Sequence, residues 1–398
     1  MCSDSNDAKR EPVRSPDNFL VFGAPAIGEA EIREVVDCLR SGWLGTGPRV
    51  KRFEEEFARY KKAEHAVAVN SGTAALHLSL LGAGVGPGDE VITTPMTFCA
   101  TVNAIIHTGA TPVLADIDPE TLNIDPKEVE KKISPQTRAI LPVHFGGRPC
   151  DMGALCDIAK SNDLLVIEDC AHAIEAQYRG QHTGTFGRFG CFSFYVTKNL
   201  VTGEGGMVLC RSAEDAERVR RLSLHGMTRD AWDRFGGEGY SHYQVVECGY
   251  KYNMMDLQAA IGIHQLERIE NNWRRRKDIW DEYNRAFADL PLITQPADLS
   301  EGRHGLHLYT IRLKPDESPT SRDEFLESMT ANNIGVGVHY RSLPEHPYYR
   351  QVFQWQLSDY PMAADSGRET VSLPLSPFLT DEDVNDVIEA AESATKCQ

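Results

Sequence analysis

Short apolar runs alternate with amphipathic segments through the middle of the chain. The runs 66–70, 90–94, 112–116, 138–143, 164–168, 191–195 and 206–210 read as strands. Some, such as Leu164-Leu-Val-Ile167, are wholly apolar, the pattern of strands covered on both faces of a parallel sheet. Turn signals such as Gly86-Pro-Gly-Asp89 and Gly146-Gly-Arg-Pro149 separate them. The alternation predicts an α/β fold whose large domain has a mostly parallel sheet flanked by helices. Ahead of it, 29–39 and 50–60 predict amphipathic helices, and after it 211–224 predicts another. Residues 225–250 are rich in Gly, Tyr, His and Trp and lack a period, which reads as a functional loop. From Met254 to Arg276 the pattern is helical and runs on towards Leu290. Strand candidates at 307–313 and 335–339, with a helix at 322–332 between them, predict a smaller C-terminal α+β domain. The expected division is a flexible N-terminus over 1–17, a large domain over 18–275 and a small domain over 276–398.

Composition narrows the function. The 398 residues are 41% hydrophobic and 25% charged, ordinary for a globular protein. A net charge of −17 argues against nucleic acid or an anionic membrane as partner. No apolar run approaches the ~20 residues that span a bilayer, and 1–18 lacks the apolar core of a signal peptide. The ten cysteines form no CxxC pair, which points to reduced thiols in a cytoplasmic protein and to no metal site.

Three segments carry candidate chemistry. Cys191-Phe-Ser193-Phe-Tyr-Val-Thr-Lys198 places one lysine in an aromatic, β-branched run just before a glycine-rich turn. A desolvated lysine has a lowered pKa and can attack an aldehyde; equally, a lysine at a strand end can snorkel to water. Glu168-Asp169-Cys-Ala-His172 follows an apolar strand, at the sheet edge where α/β proteins bind ligands. A carboxylate there can pair with a protonated ring nitrogen, or Asp169 can cap the next segment. Asn70-Ser71-Gly72-Thr73 joins a strand to a helix, so its amides stand at a helix N-terminus suited to an anion, or the hydroxyls serve as plain caps.

Taken in order, these segments resemble the PLP-dependent sugar-nucleotide aminotransferases, the DegT/StrS group of fold-type I enzymes. The flanking segments Gly42-Trp-Leu-Gly-Thr-Gly-Pro48, Thr94-Pro-Met-Thr-Phe98-Cys-Ala-Thr-Val-Asn103, Leu141-Pro-Val-His144, Lys251-Tyr-Asn253 and Ser372-Leu-Pro-Leu375 add to the resemblance, which spans roughly residues 20 to 390. It implies pyridoxal 5'-phosphate (PLP) as cofactor. Lys198 would link to its aldehyde and shuttle protons, Asp169 would pair with the pyridinium, and Phe98 would stack on the ring. His172 would lie beside the ring or its phenolic oxygen, and Gly72, Thr73 and Ser193 would bind the phosphate. The family often has asparagine where this chain has Lys251, so either Lys251 or Asn253 would reach the cofactor phosphate of a partner subunit, implying a homodimer with shared active sites. The implied reaction moves an amino group from L-glutamate to a keto group, with a leaning to C4, of a nucleotide-diphosphate sugar. Arg229, His339, Tyr340 and Arg341 are candidates to meet the diphosphate or sugar hydroxyls. Another keto acceptor such as a cyclitol, another PLP reaction on this fold, or a non-catalytic regulatory homologue are the alternatives.

Overall fold

The computed structural model describes residues 12–228 and 243–395. Two helices, α1 (Glu29–Ser41) and α2 (Pro48–Lys61), lead into the large sheet. Its strands and helices then alternate: β1 (His65–Val69), α3 (Gly72–Gly82), β2 (Glu90–Thr93), α4 (Cys99–His107), β3 (Thr111–Leu114), α5 (Pro126–Lys131), β4 (Thr137–Ile140), α6 (Met152–Ser161) and β5 (Leu165–Asp169). A small hairpin, β6 (Gln177–Tyr178) and β7 (Gln181–His182), precedes β8 (Phe189–Ser193), β9 (Gly206–Cys210) and α7 (Ala213–Ser223). All seven predicted strands are present, with no end more than three residues from its predicted place. The sheet order is β1-β9-β8-β5-β4-β2-β3. Only β9 runs against the rest, pairing antiparallel with β1 and β8. The C-terminal ends of β1, β5 and β8 therefore share one edge. Helices cover both faces, and the apolar strand residues explain why: Val67, Val69, Ile167, Phe189 and Val208 have no exposed surface.

The predicted helix from Met254 onward is two helices, α8 (Asp256–Glu267) and α9 (Ile269–Ala286), broken at Arg268 (φ −104°, ψ 7°). There the guanidinium ties to Glu31 and to the Ala26 carbonyl. The expected boundary at 275/276 falls inside α9. Short strands β10 (Leu292–Ile293), β11 (Asp298–Leu299) and β12 (Gly302–Arg303) lead to β13 (Tyr309–Leu313), α10 (Arg322–Ala331), α11 (Pro347–Phe353), α12 (Pro361–Glu369), β14 (Thr370–Leu373) and α13 (Asp381–Thr395). The small sheet is β10-β13-β14, antiparallel throughout. The predicted strand at 335–339 is not one of its members. Its backbone bonds divide between two neighbours: Gly335 N–H donates to Leu20, whereas Gly337 exchanges bonds with Ser372. A segment split this way forms a bridge, not a ladder. Of the N-terminal segment expected to be flexible, residues 1–11 lie outside the described residues. The rest is anchored: the buried Arg14 pairs with Asp383 at 2.8 Å and Asp386 at 2.6 Å. Of the loop at 225–250, residues 229–242 lie outside the described residues, Arg229 among them. Among the described residues, no helix is long and apolar enough to cross a membrane.

Candidate active site

A cavity of about 710 Å³ opens at the shared strand edge. Gly72, Thr73, Phe98, Asp169, His172, Ser193 and Lys198 all line it; Asn253 is not among its lining residues.

One end is a cradle for an anion. The helix α3 starts at Gly72, and the Ser71 hydroxyl accepts from Ala74 N–H at 3.1 Å. The Gly72 and Thr73 amides precede the intrahelical pattern and, among the described residues, have no acceptor, so they can meet a ligand at the positive end of the helix dipole. Ser193, at the end of β8, packs hard against this turn: a Cβ on Gly72 would lie 2.7 Å from the Ser193 Cβ. Glycine at 72 is thus what lets the turn and the Ser193 hydroxyl converge.

The other end holds the titratable groups. Asp169 is the last residue of β5 and is 4% exposed. It accepts from Ala171 N–H at 3.1 Å and from the Thr101 hydroxyl at 2.9 Å. Thr101 gives its proton to Asp169, so the Thr97 hydroxyl, 2.8 Å away, must donate to Thr101. Burial pushes the Asp169 carboxyl up, against these donors and the charge of Lys198. Lys198 lies beyond β8 in a turn, its N–H bonded to the Tyr195 carbonyl. Burial pushes its ammonium down to about 8, and the Asp169 charge opposes that. An amine with that pKa has a substantial neutral fraction near pH 7 to 8 and can react with an aldehyde.

His172 is 6% exposed. Burial, then Lys198, His307 and His339, hold its pKa well below the ordinary imidazole value. Phe98 sits at the mouth with 58% of its surface exposed, an apolar face open to a flat ring. A molecule with an aldehyde, a basic ring nitrogen and a phosphate matches this set: an amine, a buried carboxylate, an aromatic face and an anion cradle in one cavity.

The other expected residues divide. His339 and Tyr340 line the cavity, whereas Arg341 is not among its lining residues and pairs with Glu345. Asn253 donates to the Thr46 hydroxyl at 2.7 Å and accepts from Lys251 Nζ at 2.6 Å. Their segment is fixed beside the cradle by Asn70 N–H donating to the Tyr252 carbonyl at 2.7 Å. Sequence reasoning missed Thr101, Asn199 and His307. Thr101 stands three residues after Phe98 and Asn199 directly follows Lys198, but only the fold turns them inward. His144, Glu168 and Cys170 lie close enough to hold a metal ion. Yet Glu168 already accepts from the backbone of Gly184, Phe186 and Gly187, and from His144. The cluster is a hydrogen-bonded brace behind β5.

The chain matches the model of the DegT/DnrJ/EryC1/StrS aminotransferase family over residues 25–392. It is 48% identical over 385 residues to the spore coat polysaccharide biosynthesis protein SpsC of Bacillus subtilis, covering 96% of this chain and 99% of that protein. Spr1654 from Streptococcus pneumoniae, solved in its PLP form, superposes with a TM-score of 0.88 at 34% identity, over 95% of this chain and 99% of that one. PseC of Helicobacter pylori, an aminotransferase involved in the biosynthesis of pseudoaminic acid, superposes with a TM-score of 0.88 at 27% identity, over 95% and 99%.

Proposed function

Because this chain belongs to the DegT/DnrJ/EryC1/StrS aminotransferase family, we propose that it transfers the amino group of L-glutamate to the C4 keto group of a nucleotide-diphosphate sugar. It is a transaminase of the sugar aminotransferase kind and uses PLP. When bound, the cofactor supplies an electrophilic aldehyde and an electron-withdrawing ring. The observation that carries the reading is Lys198, an amine held near neutrality in the same cavity as the buried carboxylate of Asp169.

In this reading Lys198 holds the cofactor through Nζ and, once released, moves the substrate proton with the same atom. The Asp169 carboxylate keeps a proton on the ring nitrogen, and Thr97 and Thr101 orient that carboxylate. Phe98 covers one ring face and excludes water. The Gly72 and Thr73 amides and the Ser193 hydroxyl take the phosphate. His172, held neutral, would lie beside the ring or its phenolic oxygen. Asn253 or Lys251 reaches the phosphate held by a partner subunit, so the working unit is a homodimer. The eight described cysteines are all unpaired, which supports a reducing, cytoplasmic setting.

Incubating the holoenzyme with L-glutamate and a panel of TDP-, UDP- and GDP-linked keto sugars, with products read by mass spectrometry, tests the reaction. A C4 amino sugar is expected; amination of only a cyclitol, or of nothing, rejects it. Mixing Lys198→Ala chains with Lys251→Ala, Asn253→Ala chains tests the shared site. Hybrids should regain one intact site per dimer, whereas activity equal to the sum of the parents rejects it.

A further inference from the structure

Asn199 follows Lys198, and its amide orientation can be deduced. Its Nδ2 donates to both carboxylate oxygens of Glu175, at 2.9 and 3.2 Å, and to the Gly305 carbonyl at 2.8 Å. All three partners only accept, so the nitrogen must be on that side and the oxygen on the other. Oδ1 lies 3.0 Å from Nδ1 of His307. An amide oxygen cannot donate, so His307 carries its proton on Nδ1. A neutral imidazole has one N–H, and Nε2 is therefore a bare lone pair. Burial, then the charge of Lys198, keeps this ring neutral. His307 lines the cavity, and among the described residues nothing donates to its Nε2.

The neighbouring ring has the opposite arrangement. His172, 4.5 Å from His307 between ring centres, accepts from Gly146 N–H on Nδ1 at 3.3 Å. Its proton is therefore on Nε2, which donates to the Tyr340 oxygen at 3.1 Å. Tyr340 lines the cavity, stays protonated because burial raises its pKa, and keeps its own O–H to give elsewhere. Both rings pack against that of His172, one offering an acceptor and the other a donor.

We propose that His307 and Tyr340 form an acceptor–donor pair that recognises a hydroxyl group next to the keto group of the sugar. Tyr340 donates to the keto oxygen, and His307 Nε2 accepts from the neighbouring hydroxyl. This rests on the cavity being the sugar-amination site. An α-hydroxy ketone offers an acceptor and a donor on adjacent carbons; a sugar lacking the hydroxyl leaves the lone pair desolvated and unmatched.

The test uses holoenzyme with a TDP-, UDP- or GDP-linked 4-keto-6-deoxyhexose that the wild type aminates, and the matching 3-deoxy sugar. In His307→Asn the new amide keeps the donor to Asn199 and removes Nε2. It should lose roughly tenfold in kcat/KM on the 3-hydroxy sugar and stay within about twofold of wild type on the 3-deoxy sugar. His307→Gln, whose amide oxygen reaches the Nε2 position, should recover part of the loss. The glutamate half-reaction, followed by absorbance, should change little in either variant. Imidazole 15N spectra, with His307 assigned by its disappearance in His307→Asn, should show the proton on Nδ1. Equal losses on both sugars overturn the proposal, and so does a proton on Nε2. If the wild type aminates no keto sugar, the reading of the site falls and this proposal falls with it. If amination proceeds but the losses are equal, only this proposal falls.

Discussion

Two lysines in this chain are pushed down to about 8 by burial, one at the end of α2 and one in the cavity. Lys61 ends α2 and has no exposed surface. Its Nζ donates to the Ile174 carbonyl at 2.7 Å and lies 4.8 Å from the centre of the Phe192 ring. Lys198 faces the cavity instead; among the described residues nothing accepts a hydrogen bond from its Nζ, and its opposing charge is Asp169. The shift in pKa is the same, so the shift alone does not mark a reactive group. What separates the two is access and commitment: one amine is used up by a carbonyl and an aromatic face, the other is held unspent against a carboxylate.

The sharpest way to break this comparison is to remove each lysine. Lys198→Ala should lower turnover by roughly 10³-fold or more while the melting temperature barely moves, since covalent attachment and proton transfer both depend on it. Glutamate half-reaction kinetics near wild type would end the assignment. Lys61→Met should do the reverse, leaving turnover per folded molecule within about threefold. Its signature is in the pH dependence of stability. The folded pKa lies below the unfolded one, so between about pH 8 and 10.5 the unfolded chain binds the extra proton and wild-type stability rises with pH. Relative to Lys61→Met, urea unfolding at pH 7 and pH 10 should show the wild type gaining up to about 3 kcal/mol. A flat difference would mean that Lys61 is not desolvated.

Smaller effects sharpen the cavity side. Asp169→Asn keeps an oxygen for Ala171 N–H but loses the charge, so activity should fall roughly tenfold or more with stability changed by less than about 1 kcal/mol. Lost stability with retained activity would reduce Asp169 to a cap. Thr101→Val removes one donor from that carboxylate; a loss of about two- to fivefold in kcat, with KM steady, is expected. A change in KM alone would place Thr101 outside the charge-holding chain.

The strands were legible because buried parallel strands are near-continuous apolar runs, as at Val166 and Ile167. Lys198, Asp169 and Gly72 were legible because each is an unusual residue for its local pattern. His307 was not. It reaches the cavity from a segment more than a hundred residues after Lys198, and nothing in Gly305-Leu-His307-Leu-Tyr309 distinguishes an inward histidine from a strand residue. The strand at Thr370–Leu373 is four residues of alternating polarity, too short to announce itself, while the candidate at 335–339 resembled a strand but spends its backbone bonds on two neighbours. The break at Arg268 carries neither glycine nor proline; it follows from the tertiary tie to Glu31.

The helix α9 spans two cores. Near its middle the buried Arg276 pairs with Glu175, three residues beyond His172. A turn later Trp280 and Tyr283 are sealed among the aromatic side chains under the small sheet, and the Tyr283 hydroxyl donates to the Pro374 carbonyl at 3.0 Å. One rod is thus mortared into both walls. Severing the chain near 275 would strip a guanidinium from one core and lay bare a greasy face on the other. The two sheets are for that reason expected to unfold together, in a single melting transition.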